Sequence, residues 1–370
     1  MRIFHCITTL DRGGAETQLL MLARHQISVE GHALSIGYLQ GAGEMRRAFE
    51  DAGADVACLG PRATAASVTR VLRFVRGRGF DVAHTHLLKA NVLGGLAARL
   101  AGIPTVVAHK HSDDVHMKQV RVALIHDVVS RLSDDAVVYL SQNTADFFAR
   151  HGVLPHPNRH VVHYGFDPDV YRQDGEDIRA ELGLAAGAFL FVTLSRIVRQ
   201  KGIDVLVAAF EEVARTLPFV HLAIAGGASM EPAYAAAIDR QIACSPARAR
   251  IHRLGLRDAP GAVYHAGDAF VLASRWEGLG LVLLEAMFFG LPIIATRASA
   301  IPEIIRDGVD GQLVAADDPA ALGAAMLAIA RQGRRPHVAN CARLAAFQPG
   351  KLYPRLTQIY RNPAAEPPPA

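Results

Sequence analysis

Short apolar runs alternate with longer amphipathic stretches along almost the whole chain. In the first half, MRIFHCI, HALSIGYL, DVAHTH, PTVVAHKH, DAVVYLS and HVVHYG have the length and β-branched content of strands. Between them ETQLLMLARHQIS, SVTRVLRFVRGR and NVLGGLAARLAG repeat their apolar residues at helical spacing. The second half follows the same plan. FLFVTLS, VHLAIAGG, RIHRLG, AFVLAS, PIIAT and GQLVA read as strands, with GIDVLVAAFEEVART and GLVLLEAMFFG as helices between them. This alternation predicts parallel, doubly wound sheets.

The join falls near LPHPNRHVVHYGFDPDVYRQDG, rich in proline, histidine and turn formers. The expectation is therefore two similar Rossmann-like α/β domains, over residues 1–168 and 169–345. A C-terminal helix over 346–361 should cross back onto the first domain. The end of the chain, NPAAEPPPA at 362–370, reads as an unstructured tail. Ligands of such sheets bind beyond the carboxyl ends of the strands, and two facing sheets would place the site in a cleft between domains.

Composition narrows the function classes. The chain has 370 residues, half of them hydrophobic and a fifth charged, which is the balance of a globular protein. Its net charge of +4 lies in the first half: residues 1–165 carry 18 Lys/Arg against 14 Asp/Glu, and the remainder 21 against 21. So small a surplus, without aromatic–basic platforms, speaks against nucleic acid and fits attraction to anionic lipid or a charged substrate. The four cysteines are scattered without a CxxC pair, which argues against a disulfide framework or a cysteine zinc site and suits a reducing cytosol. The first apolar run is too short for a signal peptide, and no window suits a membrane span. Localisation is expected to be cytoplasmic, with peripheral contact at the inner face of the membrane.

Candidate chemistry gathers after two strands of the second half. In RWEGLGLVLLEAMFFGLP, Glu277 lies in a glycine-loosened loop and Glu285 about one turn into the helix that follows. Backbone N–H groups around Gly280, Leu281 and Val282 would open that helix, a ready site for phosphate. Two carboxylates beside a phosphate make sense only if the ligand also offers hydroxyl donors, as a nucleotide sugar does. The bland alternative is that they favour the positive end of the helix dipole, worth about 0.3–1 kcal/mol each. In TLSRIVRQKGID, Arg196 and Lys201 flank one loop at a strand's carboxyl end, a fork and a point charge suited to a diphosphate. Gly13 and Gly14, between the first strand and a helix, let the backbone approach a ligand. They do not form the GxGxxG dinucleotide fingerprint, which is absent.

Together these features resemble the retaining glycosyltransferases of family 4, with their GT-B architecture and E-x7-E signature, of the kind that builds bacterial cell-surface polysaccharides. The resemblance rests on the GGAE loop, DVAHTH, SRIVRQKG, AGG, EGLGLVLLEAMFFGLPIIAT and IPEIIRDGVDGQLV, and so covers nearly the whole chain. It implies that Arg196 and Lys201 grip the donor diphosphate, that Glu285 binds ribose hydroxyls, and that Glu277 contacts the transferred sugar. Backbone N–H groups at Gly14, Gly280 and Leu281 would assist. It further implies transfer from a UDP- or GDP-sugar to a glycan, lipid-linked or lipopolysaccharide-type acceptor, with retained configuration and no cofactor. One departure is Tyr164 in HYGFD, where family members usually carry Asn, which bears on local hinge packing.

The resemblance also implies a histidine meeting the donor sugar through its carbonyl or ring. His111 in VVAHKHSD is the better match and His109 the rival. His84-x-His86 and His109-x-His111 each place two imidazoles on one strand face, but no carboxylate spacing supports a metal, and none is expected. The DPD string at 167–169 sits in the linker and is discounted as a metal motif. Two basic amphipathic segments, SVTRVLRFVRGR and KQVRVALIHDVVSR, are candidates for a membrane surface. The rival functions are a nucleotide-sugar epimerase of the same architecture and a non-catalytic nucleotide-sugar binder. The donor sugar and base, the acceptor and the linkage are not encoded legibly.

Overall fold

The computed structural model describes residues 1–113, 115–168, 177–257 and 259–365. Asp169 of the DPD string and the last five residues of the NPAAEPPPA tail lie outside the described residues. The chain forms two compact units, Met1–Gly165 with Phe347–Ala370, and Phe166–Ala346.

The first unit is built on seven parallel strands: β1 (Arg2–Ile7), β2 (Ala33–Tyr38), β3 (Asp55–Cys58), β4 (Val82–His86), β5 (Thr105–Lys110), β6 (Ala136–Tyr139) and β7 (Arg159–Val161). Their order is β3-β2-β1-β4-β5-β6-β7, the Rossmann arrangement. Every residue of β4 is buried, as expected for a strand covered on both faces by helices. One face packs the Gly14–Ser28 helix and the C-terminal Pro349–Arg361 helix against Ile3, Ile7, Val82 and Val107. Tyr353, Leu356, Ile359 and Tyr360 form the buried stripe of that last helix, at helical spacing. The other face packs the Ala66–Val75 and Leu88–Leu100 helices over Phe4, Ala83 and Val106.

The second unit has six parallel strands: β8 (Phe189–Leu194), β9 (Val220–Ala225), β10 (Ile251–Gly255), β11 (Ala269–Leu272), β12 (Ile293–Thr296) and β13 (Gln312–Val314), ordered β10-β9-β8-β11-β12-β13. Phe189, Phe191, Leu206, Phe210, Leu222, Val271 and Met326 centre its core.

Each strand expected from the sequence is present. One strand and several helices escaped the pattern reading. β3 is a four-residue edge strand with a single neighbour, too short to show a period. Pro319–Arg331 is alanine-rich, so its apolar face scarcely contrasts with the rest. Among the described residues, no helix is long and apolar enough to cross a membrane.

Candidate functional site

In the second unit two loops follow neighbouring strands and lock together. After β8 the chain runs through Arg196 and Lys201 to Gly202, which is left-handed (φ +60°) and opens the Ile203–Thr216 helix. A Cβ on Gly202 would stand 2.1 Å from the Ala273 carbonyl oxygen, so only glycine lets this turn touch the end of β11. From β11 the second loop leads to Gly280, again left-handed (φ +89°), and into the Leu281–Phe288 helix. Arg275 is the clamp. Its guanidinium donates to both carboxylate oxygens of Asp204 (3.0 and 2.8 Å), to the Arg199 carbonyl (2.8 Å) and to Asp317 (2.6 Å). Its backbone N–H donates to the Gln200 carbonyl at 2.8 Å. The Asp204 bonds, against the opposing pull of burial, hold the Arg275 pKa above its ordinary value.

This clamp brings Lys201 and Glu277 together. Glu277 is only 5% exposed, and its Oε1 accepts from Lys201 Nζ at 2.5 Å and from Ser274 Oγ at 2.6 Å. A carboxylate removed from water is costly unless paired and hydrogen-bonded, and here it is both. Glu285 lies on the buried side of its helix and accepts at Oε2 from Tyr264 Oη at 2.6 Å. The Tyr264 ring stacks on Phe289 at 5.1 Å, which fixes the direction of that hydroxyl. Arg196 stands apart from the pair, exposed at the surface, with Nη1 2.7 Å from Met230 Sδ. The second unit thus offers a cation–carboxylate pair, a second held carboxylate and a glycine-opened helix start, at the carboxyl ends of β8 and β11.

In the first unit, Gly13 precedes the Gly14–Ser28 helix at the carboxyl end of β1. A Cβ on Gly14 would meet no protein atom within 4 Å, so the fold itself makes no demand for glycine there. His111 follows β5 and is 8% exposed. Its Nε2 lies 3.0 Å from His86 Nδ1, and its Nδ1 bonds the Tyr164 hydroxyl. The ring is therefore committed at both nitrogens, which leaves the backbone as the part of His111 best placed to meet a ligand. Tyr164 does more than fill a hinge: it fixes the His111 ring. His109 is 2% exposed with both ring nitrogens unpartnered. Leu87, next to His86, takes a left-handed φ of +70° at the entrance to the Leu88–Leu100 helix, a conformation rare for leucine.

Sequence reasoning missed Arg275, Ser274, Tyr264 and Leu87. Arg275 had a signal, since it opens the stretch that carries both glutamates. Tyr264 and Leu87 had none, because neither spacing nor residue type sets them apart.

Two family models account for most of the chain: "Glycosyltransferase Family 4" matches residues 12–170 and "Glycosyl transferases group 1" matches 188–332. Among related sequences, D-inositol 3-phosphate glycosyltransferase 1 of Catenulispora acidiphila is 27% identical over 76% of this chain and 72% of that protein. The GDP-mannose-dependent alpha-(1-6)-phosphatidylinositol monomannoside mannosyltransferase of Mycolicibacterium smegmatis is 32% identical over 64% of this chain and 63% of its own. Among solved structures, Anabaena Alr3699/HepE in complex with UDP and glucose superposes with a TM-score of 0.85 at 21% identity, covering 98% of this chain and 99% of that one, which extends the likeness of fold to the whole chain. With both halves matched in order and the GT-B fold in place, the chain belongs to the family 4, group 1 glycosyltransferases.

Proposed function

We propose that the protein transfers a sugar from a UDP- or GDP-sugar to a glycan, lipid-linked or lipopolysaccharide-type acceptor, with retained anomeric configuration and without a metal at the diphosphate. The observation that carries this reading is the Lys201–Glu277 pair beside the Leu281 helix start. Lys201, Arg196 and the N–H groups of Gly280 and Leu281 meet the charge that grows on the departing diphosphate. One such preorganised donor is typically worth roughly 3 kcal/mol of barrier. These groups take the place of a divalent ion. Glu285 binds ribose hydroxyls, while Glu277 and His111 orient the donor sugar. In the first unit, Gly13 and Gly14 offer backbone N–H groups for donor binding. Glu277 is not a nucleophile in this account: the acceptor attacks from the face that the nucleoside diphosphate leaves, so no glycosyl–enzyme bond forms.

The relatives support both donor types and a lipid-borne acceptor, since one names GDP-mannose and phosphatidylinositol and the superposed structure holds UDP. An epimerase would turn over a sugar nucleotide alone, and the family match favours transfer. A membrane-facing surface has a specific basis. The Val120–Ser133 helix exposes Val120, Leu124, Ile125, Val128 and Leu132 alongside exposed Lys118, Arg121 and Arg131. The other basic helix, Ala66–Val75, turns its apolar side into the core through Val71 and Val75. We assign peripheral contact with an anionic bilayer, on the cytoplasmic face, to the first of these helices.

The test is a transfer assay with UDP- and GDP-sugars and a polyprenyl-diphosphate or glycan acceptor, the new glycosidic bond being read by NMR. An anomer matching the donor, formed as fast in EDTA as with Mg²⁺ or Mn²⁺, is expected. An inverted anomer, a trapped Glu277 adduct or a strict Mg²⁺ or Mn²⁺ requirement would overturn the mechanism.

A further inference from the structure

The parallel register of the first sheet gathers histidines that are far apart in the chain. His5 on β1 is the direct neighbour of His84 on β4, and His86 is the neighbour of His109 on β5. Residues two apart share a strand face, so His5, His84, His86 and His109 lie on one face of the sheet. The Gly14–Ser28 and Pro349–Arg361 helices cover that face. His5, His84 and His86 are all at most 1% exposed, and no carboxylate bonds them.

Apart from one bond between His5 and His86, the hydrogen bonds of these three rings run outward. His5 Nε2 lies 2.9 Å from Gln26 Oε1, His84 Nδ1 2.7 Å from Tyr360 Oη, and His86 Nδ1 3.0 Å from His111 Nε2. The nitrogens left on the inner side are His5 Nδ1, His84 Nε2 and His86 Nε2. His5 Nδ1 and His86 Nε2 are 2.9 Å apart, while His84 Nε2 is buried without a hydrogen-bond partner among the described residues. One ring nitrogen from each of the three lies within 4.8 Å of the others. Buried imidazole nitrogens normally find partners, so an orphan on one ring of this three-histidine group points to a missing ligand.

We propose that His5, His84 and His86 form a structural site for a first-row transition-metal cation such as Zn²⁺, with Gln26, Tyr360 and His111 orienting the three rings from outside. The arrangement follows the usual form of such sites, in which each ligating histidine holds its tautomer through a bond from its other nitrogen. Tetrahedral Zn–N bonds of about 2.0–2.1 Å set ligand nitrogens about 3.3 Å apart, so His5 Nδ1 and His86 Nε2, at 2.9 Å, would part slightly to admit the ion. His109 belongs instead to a second group, with His86 and His111, and is not counted among the ligands of this ion. An all-imidazole set suits Zn²⁺, Cu²⁺ or Ni²⁺ over Mg²⁺ or Ca²⁺. Enclosed on all sides, the ion would enter as the unit folds and tie β1 and β4 to the two covering helices. It is separate from the donor chemistry, which uses no metal at the diphosphate.

The test is elemental analysis of the tag-free protein expressed with added Zn²⁺ and then desalted into EDTA, with Co²⁺-grown protein as a spectroscopic check. About one Zn²⁺ per chain and visible Co²⁺ ligand-field bands are expected. His84→Phe should lose at least nine-tenths of the metal, and Gln26→Leu should weaken retention by about 10- to 100-fold. Wild-type protein with less than a tenth of an equivalent of Zn²⁺ would overturn the site whether or not the variants fold. So would a folded His84→Phe variant that holds as much metal as the wild type.

Discussion

In the proposed mechanism one contact, Lys201 with Glu277, serves both stability and chemistry. Lys201→Met leaves a buried carboxylate without its cation, a loss of about 3–5 kcal/mol for pairs of this kind. Adding Glu277→Gln removes the stranded charge, so the double variant should recover most of the stability lost on urea denaturation. It should recover none of the transfer activity, which is expected to fall at least a hundredfold in either variant. A double variant that regained activity along with stability would reduce the pair to a structural role. Much of this was legible from residue types: both glutamates, Arg196 and Lys201 stand out by charge in apolar surroundings. Their partners were not. Ser274 was an ordinary serine in the sequence, and Tyr264 reaches Glu285 from 21 positions away, a distance only the fold closes.

At the scale of elements, strands and long helices could be read from apolar spacing because parallel strands are buried on both faces and stand out as continuous runs. Strand order could not be read. The adjacency of β1 and β4 puts His5 beside His84, and that of β4 and β5 puts His86 beside His109, so the two histidine pairs of the sequence meet through His86 and gain His5. Elsewhere local charges pin an element, as in IPEIIRDGVDG. There Arg306 donates to both oxygens of Asp310 (2.7 and 2.8 Å), and Asn340 joins at 2.8 Å. The Arg306 bonds hold the Asp310 pKa down at about 2, below its ordinary value. A carboxylate with a depressed folded pKa contributes stability above its unfolded value near 4, and loses it as pH falls through 2. Asp310→Asn should therefore lower the melting temperature at pH 6, with the gap to wild type narrowing from pH 4 and closing near pH 2. A gap that stays constant down to pH 2 would show that the contribution is not electrostatic.

At the scale of the whole molecule, two Rossmann-like units of similar plan carry different duties. The second holds every charged side chain assigned to the donor, and the first carries the exposed apolar stripe of Val120–Ser133. That stripe was foreshadowed as a basic amphipathic segment, but its sequence did not distinguish it from the Ala66–Val75 helix; only packing showed which apolar face remains uncovered. Flotation with vesicles rich in anionic phospholipid should show binding that weakens with salt. It should fall severalfold in the Leu124→Ser/Ile125→Ser variant, whose thermal stability should barely change because both residues are exposed. Binding indifferent to both salt and variant would remove this helix from the account. The central claim, a nucleotide-sugar site in the second unit, is tested most directly by calorimetric titration of UDP and GDP in EDTA into wild type and Glu285→Gln. Saturable binding of at least one nucleotide, weakened tenfold or more in the variant, is the predicted result. Equal affinity in both proteins, or no binding by the wild type, would contradict it.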